Sequence, residues 1–320
     1  MKSLPSITAQ IDEKIIYKLI DRNFSLLAPF FYSFISNWLI RAYERYNDID
    51  KFLIIIYLIH QNLVFYRKNG LIIDYNTFYR DRTIEINKIN ISDISKDLEI
   101  PKESVRRKIL DLEKNGAIKK VGKKIFIDRS TLHKARATDT VSELSALLSE
   151  FNKILKKEKL ISEIFELNKI TNSIKENFSF CLYQLNKFIF IYLNRWRAEL
   201  GDLETFSVGM ILVLSATHNK DFIPSKSSLN FYRKEIMGSD LRGVNAMSIS
   251  EITNIPRPTV VRKLKFLIDK KFLYINDKKL ISLNVKDSSF NKFKNLQNKN
   301  LLSLSYFIIR LFNQIKVTNS

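Results

Sequence analysis

Length, composition and charge restrict the class of protein before any motif is considered. The chain has 320 residues, of which 45% are hydrophobic and 12% aromatic, and this composition excludes an intrinsically disordered protein. Only 7 glycines and 6 prolines are present, so tight turns are scarce and a mainly helical fold is predicted. The 53 Lys and Arg residues exceed the 33 Asp and Glu residues and give a net charge of +20, which favours a polyanionic partner, nucleic acid above all.

Cysteine content and hydropathy predict a cytoplasmic protein that is not inserted in a membrane. A single cysteine, Cys181, excludes internal disulfides and a Cys-rich zinc site, and it is typical of a reducing compartment. The first residues, MKSLPSITAQIDEK, lack the apolar core of a secretory signal. The apolar segments 26–40 and 52–65 are both shorter than the ~18 unbroken apolar residues of a membrane span, so we interpret them as buried or interface helices.

In chain order, the first half begins with an aromatic-rich helix at about 24–46 and a second apolar helix at about 49–66. A variable connection containing Phe78-Tyr79-Arg80 follows, and then a compact helix-turn-helix pattern and a short basic hairpin within 91–128. An amphipathic helix is predicted at 138–160, where apolar residues recur every three or four positions.

The second half repeats this order. Its helices are predicted at about 178–200 and 203–218, and a last apolar helix at about 301–315 ends the chain. Three matched pairs of segments, spaced by 153 to 155 residues, support the repeat: Asn23-Phe24-Ser25 with Asn177-Phe178-Ser179, Phe78-Tyr79-Arg80 with Phe231-Tyr232-Arg233, and Ile100-Pro101 with Ile255-Pro256. We therefore predict two homologous halves, about 20–137 and 174–286; the alternative is chance matching in a Lys-, Ile- and Asn-rich chain.

The helix-turn-helix pattern of the first half separates an apolar face from a basic one. Ile100-Pro101 ends one short helix and starts the next, in which Val105, Ile109 and Leu112 share the inward face. The remaining face carries the candidate DNA-binding residues Lys102, Ser104, Arg106, Arg107 and Lys108. Two short β-prone runs around Gly122-Lys123 predict a hairpin, or wing, that offers Lys119, Lys120, Lys123 and Lys124.

The second half follows the same plan at 249–283, with Val260, Leu264 and Leu267 facing inward. Its candidate DNA-binding residues are Arg257, Thr259, Arg262 and Lys263 on the helix, and Lys278 and Lys279 in the wing. Residues 101–126 hold nine Lys and Arg against three acids, and residues 256–281 hold eight against two, so each unit carries +6. The charge is therefore concentrated where a helix in the major groove and a flanking hairpin would need it.

Both segments resemble the winged helix-turn-helix DNA-binding domains of bacterial transcription regulators, over about 40 residues in each half. The helices before and after the motif are similar to the layout of MarR-type regulators, in which such helices build the dimer. The wings depart from that pattern, because MarR-type wings are usually longer and contain an Asp-x-Arg element. The resemblance implies the winged-helix fold and DNA binding.

The predicted fold is mainly α with short β-hairpin wings: two winged-helix domains related by internal duplication, packed through long flanking helices as a pseudo-dimer within one chain. Its parts are a first repeat (1–137), connecting helices (138–173), a second repeat (174–286) and a C-terminal helix (287–320). Unequal halves would read two different half-sites, since Arg106 corresponds to Val261 while Arg107 corresponds to Arg262. Further pairing of chains is left open.

The remaining motifs predict neither catalysis nor a cofactor. Phe78-Tyr79-Arg80 and its counterpart are interpreted as core packing or, alternatively, as anchors on the phosphate backbone. His60, His133 and His218 lack a second ligand at metal spacing and are interpreted as structural or surface residues. The segment 238–243 has the glycines of a phosphate-binding loop without its Lys and Ser or Thr.

Three functions from different classes follow. The first is a DNA-binding transcription regulator, with room for a small-molecule effector among the aromatic helices. The second is a plasmid- or phage-type replication initiator, because those proteins also resemble tandem winged helices. The third is an adaptor that uses its wings to bind proteins or RNA.

Overall fold

The structure is a computed structural model that describes residues 11–81, 83–86, 88–122, 124–128, 138–218, 222–238, 243–284 and 289–319. Helices make up most of these residues, which confirms the mainly helical prediction. The helices of the first half are α1 (Glu13–Arg22), α2 (Phe24–Tyr46), α3 (Ile49–Lys68), α4 (Tyr75–Arg80), α5 (Ile91–Leu98), α6 (Lys102–Lys114) and α7 (Thr138–Lys157). Those of the second half are α8 (Leu167–Glu176), α9 (Phe178–Leu200), α10 (Leu203–Thr217), α11 (Leu229–Gly238), α12 (Ala246–Thr253), α13 (Arg257–Asp269) and α14 (Ser289–Asn319).

Five short strands form two antiparallel sheets. In the first half, β1 (Thr83–Ile86), β2 (Ile118–Val121) and β3 (Lys124–Asp128) pair in the order β1-β3-β2, with Ile127 opposite both Ile84 and Ile118. In the second half, β4 (Leu273–Ile275) pairs with β5 (Ile281–Leu283). A single bridge from Val244 to Ile281 lies just before α12, as β1 lies before α5.

Local sequence signals account for the start and stop of the short helices. Asn90 and Asn245 cap α5 and α12 by accepting hydrogen bonds from the backbone N–H groups of Ser92 and Ser248. Both helices then end on a residue in the left-handed conformation, Glu99 and Asn254. Ser95 and Ser250 each donate a hydrogen bond across this turn, to the carbonyl oxygens of Ile100 and Ile255. The same chemistry therefore builds the same turn twice.

Helices of equal length recur at a nearly constant spacing along the chain. The pairs α1 and α8, and α2 and α9, have 10 and 23 residues per helix and begin 154 residues apart. The pairs α5 and α12, and α6 and α13, have 8 and 13 residues per helix and begin 155 residues apart. The agreement in length and spacing includes α1 and α8, which lie outside the matched sequence segments. The helix predicted at 301–315 also starts earlier, at Ser289, where Phe293 and Leu296 bury against the core.

The helices of each half pack against those of the other in a reciprocal way. α2 packs on α10 and α9 packs on α3, while α1 lies against α14 and α8 against α7. Two ring contacts show the reciprocity: Phe24 meets Tyr232 at 5.4 Å between centroids, and Phe178 meets Phe78 at 5.2 Å. Both halves therefore contribute side chains to the core where these helices meet.

By length and composition, one described helix could cross a membrane. This helix, α3, is 44% buried within its most apolar window and packs against α2 and α9. The helices α9 and α10 pass the same test only when taken together, and they meet at an angle of 97°. Core helices of soluble proteins have these properties too.

Candidate nucleic-acid interface

In the first unit, α6 lies with its apolar face inward and its N-terminal cations outward. Val105, Ile109 and Leu112 are buried, as their spacing predicts. Lys102, Arg106 and Arg107 are exposed, and Ser104 is half-buried beside them. Arg106 lies 4.0 Å from the Glu103 carboxylate on the same exposed surface. The outward face at the N-terminal end of α6 therefore carries three cations and one acid.

The second unit places α13 in the same way. Val260, Leu264 and Leu267 are buried, while Arg257 and Arg262 are exposed and Thr259 is half-buried. Lys265, which the sequence also places on or near the open face, is exposed and close to Arg262 on the helix surface. The first turn of α13 contains no acidic residue, whereas that of α6 contains Glu103. A phosphate would meet less repulsion at the start of α13 than at the start of α6.

Two of the predicted site residues do not lie on the outward face. Lys108 binds the carboxylate of Asp48 and lies 3.7 Å from Asp50, and Lys263 binds the carboxylate of Asp202. Both lysines are only slightly exposed, so the expectation that they face a ligand is corrected. The sequence contains the reason: each lysine follows an inward valine by three residues and precedes an inward leucine by four, which brings it to the edge of the buried face.

The partner aspartates connect these lysines to the helix scaffold. Asp48 and Asp202 are the N-caps of α3 and α10, where they accept hydrogen bonds from the backbone N–H groups of Lys51 and Thr205 at 3.1 and 2.7 Å. Each aspartate therefore ties the start of a long helix to the middle of α6 or α13. Through these ion pairs, Lys108 and Lys263 connect the helices that carry the exposed arginines to the scaffold.

The wing lysines of the first unit are exposed but paired with acids. Lys119 lies 2.9 Å from Asp128, Lys120 lies 2.5 Å from Glu113, and Lys124 lies 3.1 Å from Glu85. Only the Lys124–Glu85 pair is exposed on both sides and worth about 0–1 kcal/mol, so a phosphate can replace Glu85 at small cost. Asp128 is buried and Glu113 is partly buried, so these two acids compete more strongly with a phosphate for Lys119 and Lys120. Lys123 lies outside the described residues.

The wing of the second unit presents its charge differently. Lys278 and Lys279 are exposed at the turn between β4 and β5, and within the described ranges neither forms an ion pair. The side-chain oxygen of Asn276 holds this turn by accepting hydrogen bonds from the backbone N–H groups of Lys278 and Leu280, at 3.0 and 2.9 Å. The wing of the second unit therefore offers uncompensated cations.

Contacts from the opposite half brace both units. The Asn194 side chain on α9 donates to the carbonyl oxygen of Asp97, and Arg197 binds both the Leu98 carbonyl and Asp50. On the other side, Asn254 donates to Glu44 of α2 at 2.7 Å. Sequence reasoning missed these residues because each bond joins positions about a hundred or more apart. The burial of Arg197 and Asn194 on α9 becomes apparent only in the folded structure.

The Phe-Tyr-Arg elements match the core-packing interpretation. Phe78 and Tyr232 are buried at equivalent places, which makes the structural spacing 154, one more than the spacing of the sequence match. Phe231, the sequence counterpart of Phe78, is 52% exposed. The sequence match is thus out of register with the structural correspondence by one residue.

Two of the three histidines fall on described residues, and both have structural surroundings. His60 stacks on Tyr183 at 4.9 Å and touches the edge of Phe190, and His218 hydrogen-bonds to Ser33 at 3.0 Å. Burial, helped by nearby Lys187, lowers the pKa of His60 to about 4. His133 and residues 239–242 of the glycine-containing segment lie outside the described residues.

Searches against models of protein families, curated proteins and solved structures found no match for this chain. Among the residues that the structure describes, no three His, Cys, Asp or Glu side chains converge as metal ligands would. The chemistry of the site must therefore be judged from its own residues: outward cations, half-buried hydroxyls and adjoining basic hairpins.

Proposed function

We propose that this protein is a transcription regulator that binds double-stranded DNA through two winged helix-turn-helix units carried in one chain. One observation carries the proposal: α6 and α13, of equal length and spacing, both present an exposed arginine at the same position, Arg107 and Arg262, beside a basic hairpin. A helix of this size fits the major groove, where arginine is the commonest reader of guanine. The adjoining wing can contact the phosphates that flank the groove.

An internal duplication accounts for the paired elements. The equal helix lengths, the constant spacing and the reciprocal packing of α2 on α10 and of α9 on α3 support a pseudo-dimer made by one chain. In such an arrangement, α2, α3, α9 and α10 correspond to the dimer helices of a homodimeric regulator. On this proposal, the protein acts in the cytoplasm as a single chain and does not insert into a membrane.

The two units would contribute unequally to binding. α13 has no acid in its first turn and no ion-paired lysine in its described wing, whereas α6 has Glu103 and a wing whose described lysines pair with acids. We infer that the second unit supplies more of the phosphate contacts. The first unit, which has Arg106 where the second has Val261, would add a different base preference.

The experiment that tests this proposal uses neighbouring residues that face opposite ways. Arg262→Met and Lys263→Met remove the same charge one position apart, and Arg107→Met and Lys108→Met do so in the other unit. We expect the outward substitutions to reduce the magnitude of the slope of log Kd against log salt by about 0.9 each. The inward substitutions should leave that slope unchanged and lower stability by about 1–3 kcal/mol, because each removes the partner of a partly buried aspartate.

Fluorescence anisotropy with labelled duplex between 50 and 200 mM salt measures both effects. Equal changes in slope for the outward and inward members of a pair would contradict the proposed interface. Binding that is insensitive to salt would instead favour an adaptor that uses apolar helix surfaces on a protein partner. Cooperative binding to an array of repeated sites would favour the replication initiator.

A further inference from the structure

A partly open cavity of about 100 Å³ lies between the helical scaffold and the second unit, and Tyr32 of α2 is the one described lining residue from the first half. Its walls combine side chains of α9, α10, α11 and α14 with Leu267 of α13 and with Leu273 and Leu283 of the hairpin. Trp196 and Phe206, stacked at 4.8 Å between ring centroids, form one wall, and Phe293 meets Trp196 at 5.3 Å. The lining is predominantly apolar and aromatic.

A glycine inside a helix creates part of this space. Gly209 lies within α10, and a Cβ atom added there would find its nearest neighbour, the Leu267 Cδ1 atom, at 3.6 Å, an ordinary van der Waals distance. The position 154 residues earlier, in α3, is the buried Ile55. Glycine in a helix interior is less favourable than alanine. The φ angle of Gly209 is not in the left-handed region, so the backbone conformation does not require glycine at this position. The second half therefore has no side chain at a position where the first half has a buried isoleucine.

The lining includes two buried polar atoms without a hydrogen-bond partner, the Nε1 donor of Trp196 and the Oε1 acceptor of Gln297. The Gln297 Oε1 atom is buried without a hydrogen-bond partner and lines both this cavity and a smaller one that shares Tyr32 and Trp196 with it. In the smaller cavity, Asn300 is 6% exposed and its Nδ2 atom also lacks a partner. Arg233 is part of the lining as well, and its cationic side chain disfavours a cationic ligand.

We propose that the cavity binds a neutral molecule with one aromatic ring and a single donor group, an amino or a hydroxyl group. The ring suits the aromatic walls, and the volume limits the ligand to one ring, since an apolar cavity of ~150 Å³ accommodates benzene. The donor would satisfy the Gln297 Oε1 atom, which otherwise remains buried and unpaired. Because Leu267, Leu273 and Leu283 belong to the second winged unit, the ligand would bias the position of that unit alone; this regulatory consequence rests on the proposed function.

Aniline and toluene test the proposal because they have the same size and differ in one donor group. We expect calorimetric titration of the full chain to show aniline binding about threefold to tenfold more tightly than toluene, the range that one net hydrogen bond provides. Gln297→Met, which keeps the volume and removes the acceptor, should bring that ratio close to one. Gly209→Val should abolish binding of both compounds, while the matched substitution Ile55→Val in the first half should leave both affinities unchanged.

A smaller substitution at the same position keeps the proposal testable if Gly209→Val fails to fold. Gly209→Ala only partly fills the cavity and is expected to weaken both ligands while retaining the helical circular dichroism spectrum. Failure of the wild-type chain to bind either compound would overturn the proposal, as would an aniline preference that survives Gln297→Met or binding unaffected by Gly209→Val. None of these readouts involves DNA, so they distinguish failure of the cavity from failure of the DNA-binding function.

Discussion

At the residue scale, adjacent cations on α13 serve different purposes. Arg262 is exposed, whereas Lys263 is held by Asp202 at the cap of α10. The same division separates Arg107 from Lys108 on α6. A count of positive charge along either helix therefore overstates the charge available to a partner, because one lysine in each unit is used to position its own helix.

Gly209 and Gly201 provide a matched pair for a stability measurement. Gly209→Ala should raise the free energy of unfolding by about 0.5–1 kcal/mol, since alanine removes the cost of glycine in a helix and meets no close contact. Gly201 also has open space around it, but its φ of +86° favours glycine, so Gly201→Ala should be destabilising. Urea denaturation measures both. A loss of stability in Gly209→Ala would show that the space around α10 is not as described.

His60 predicts a pH dependence of stability. Burial lowers its pKa to about 4 in the folded chain, so the unfolded chain binds the proton more readily between about pH 4 and pH 6.5. The free energy of unfolding should therefore fall as pH decreases through this window, by about 1–2 kcal/mol from pH 7 to pH 5.

His60→Leu, which introduces the residue found 154 positions later at Leu214, is the variant that checks this origin. Urea midpoints at pH 7 and pH 5 should differ less in this variant than in the wild type. An identical pH dependence in the two proteins would assign the effect to other groups.

At the element scale, the two wings should differ in their electrostatic contribution. Replacing Lys278 and Lys279 together by Gln should reduce the magnitude of the salt slope for duplex binding by about 2. Each exposed lysine can neutralise one phosphate and thereby release the counterion bound to it. Replacing Lys119 and Lys120 together should reduce it by less than half as much, since both are paired with acids in the free protein. Anisotropy titrations at several salt concentrations give both slopes, and equal reductions would argue against the inequality of the units.

Local signals made α5, α6 and their counterparts predictable from sequence. Pro101 and Pro256 separate the short helices, and Gly116, with a φ of +73°, supplies the left-handed stop expected after α6. The hairpin after it was predictable for the same reason, since Gly122 also takes a positive φ. The inward orientation of the Lys108 and Lys263 side chains was also predictable from the sequence, because both residues flank the apolar stripe of their helix.

At the scale of the whole molecule, the reciprocal packing was not readable from sequence. The apolar stripes of α2 and α9 indicate burial but do not identify a partner, and contacts such as Arg197 with Leu98 join distant segments. The agreement between α1 and α8 was not predictable from the sequence, because the two helices share length and position but few residues. The position of the cavity beside Gly209 depends on the same tertiary packing.

Selection of bound fragments from random duplex DNA, followed by footprinting of the purified chain, tests the central claim most directly. We expect one chain to protect two half-sites of different sequence, separated by about one helical turn. Arg107→Ala should relax the sequence preference of one half-site and Arg262→Ala that of the other, each by about 1–3 kcal/mol at one base position. Recovery of a perfect palindrome, or of fragments with no shared sequence, would contradict the account.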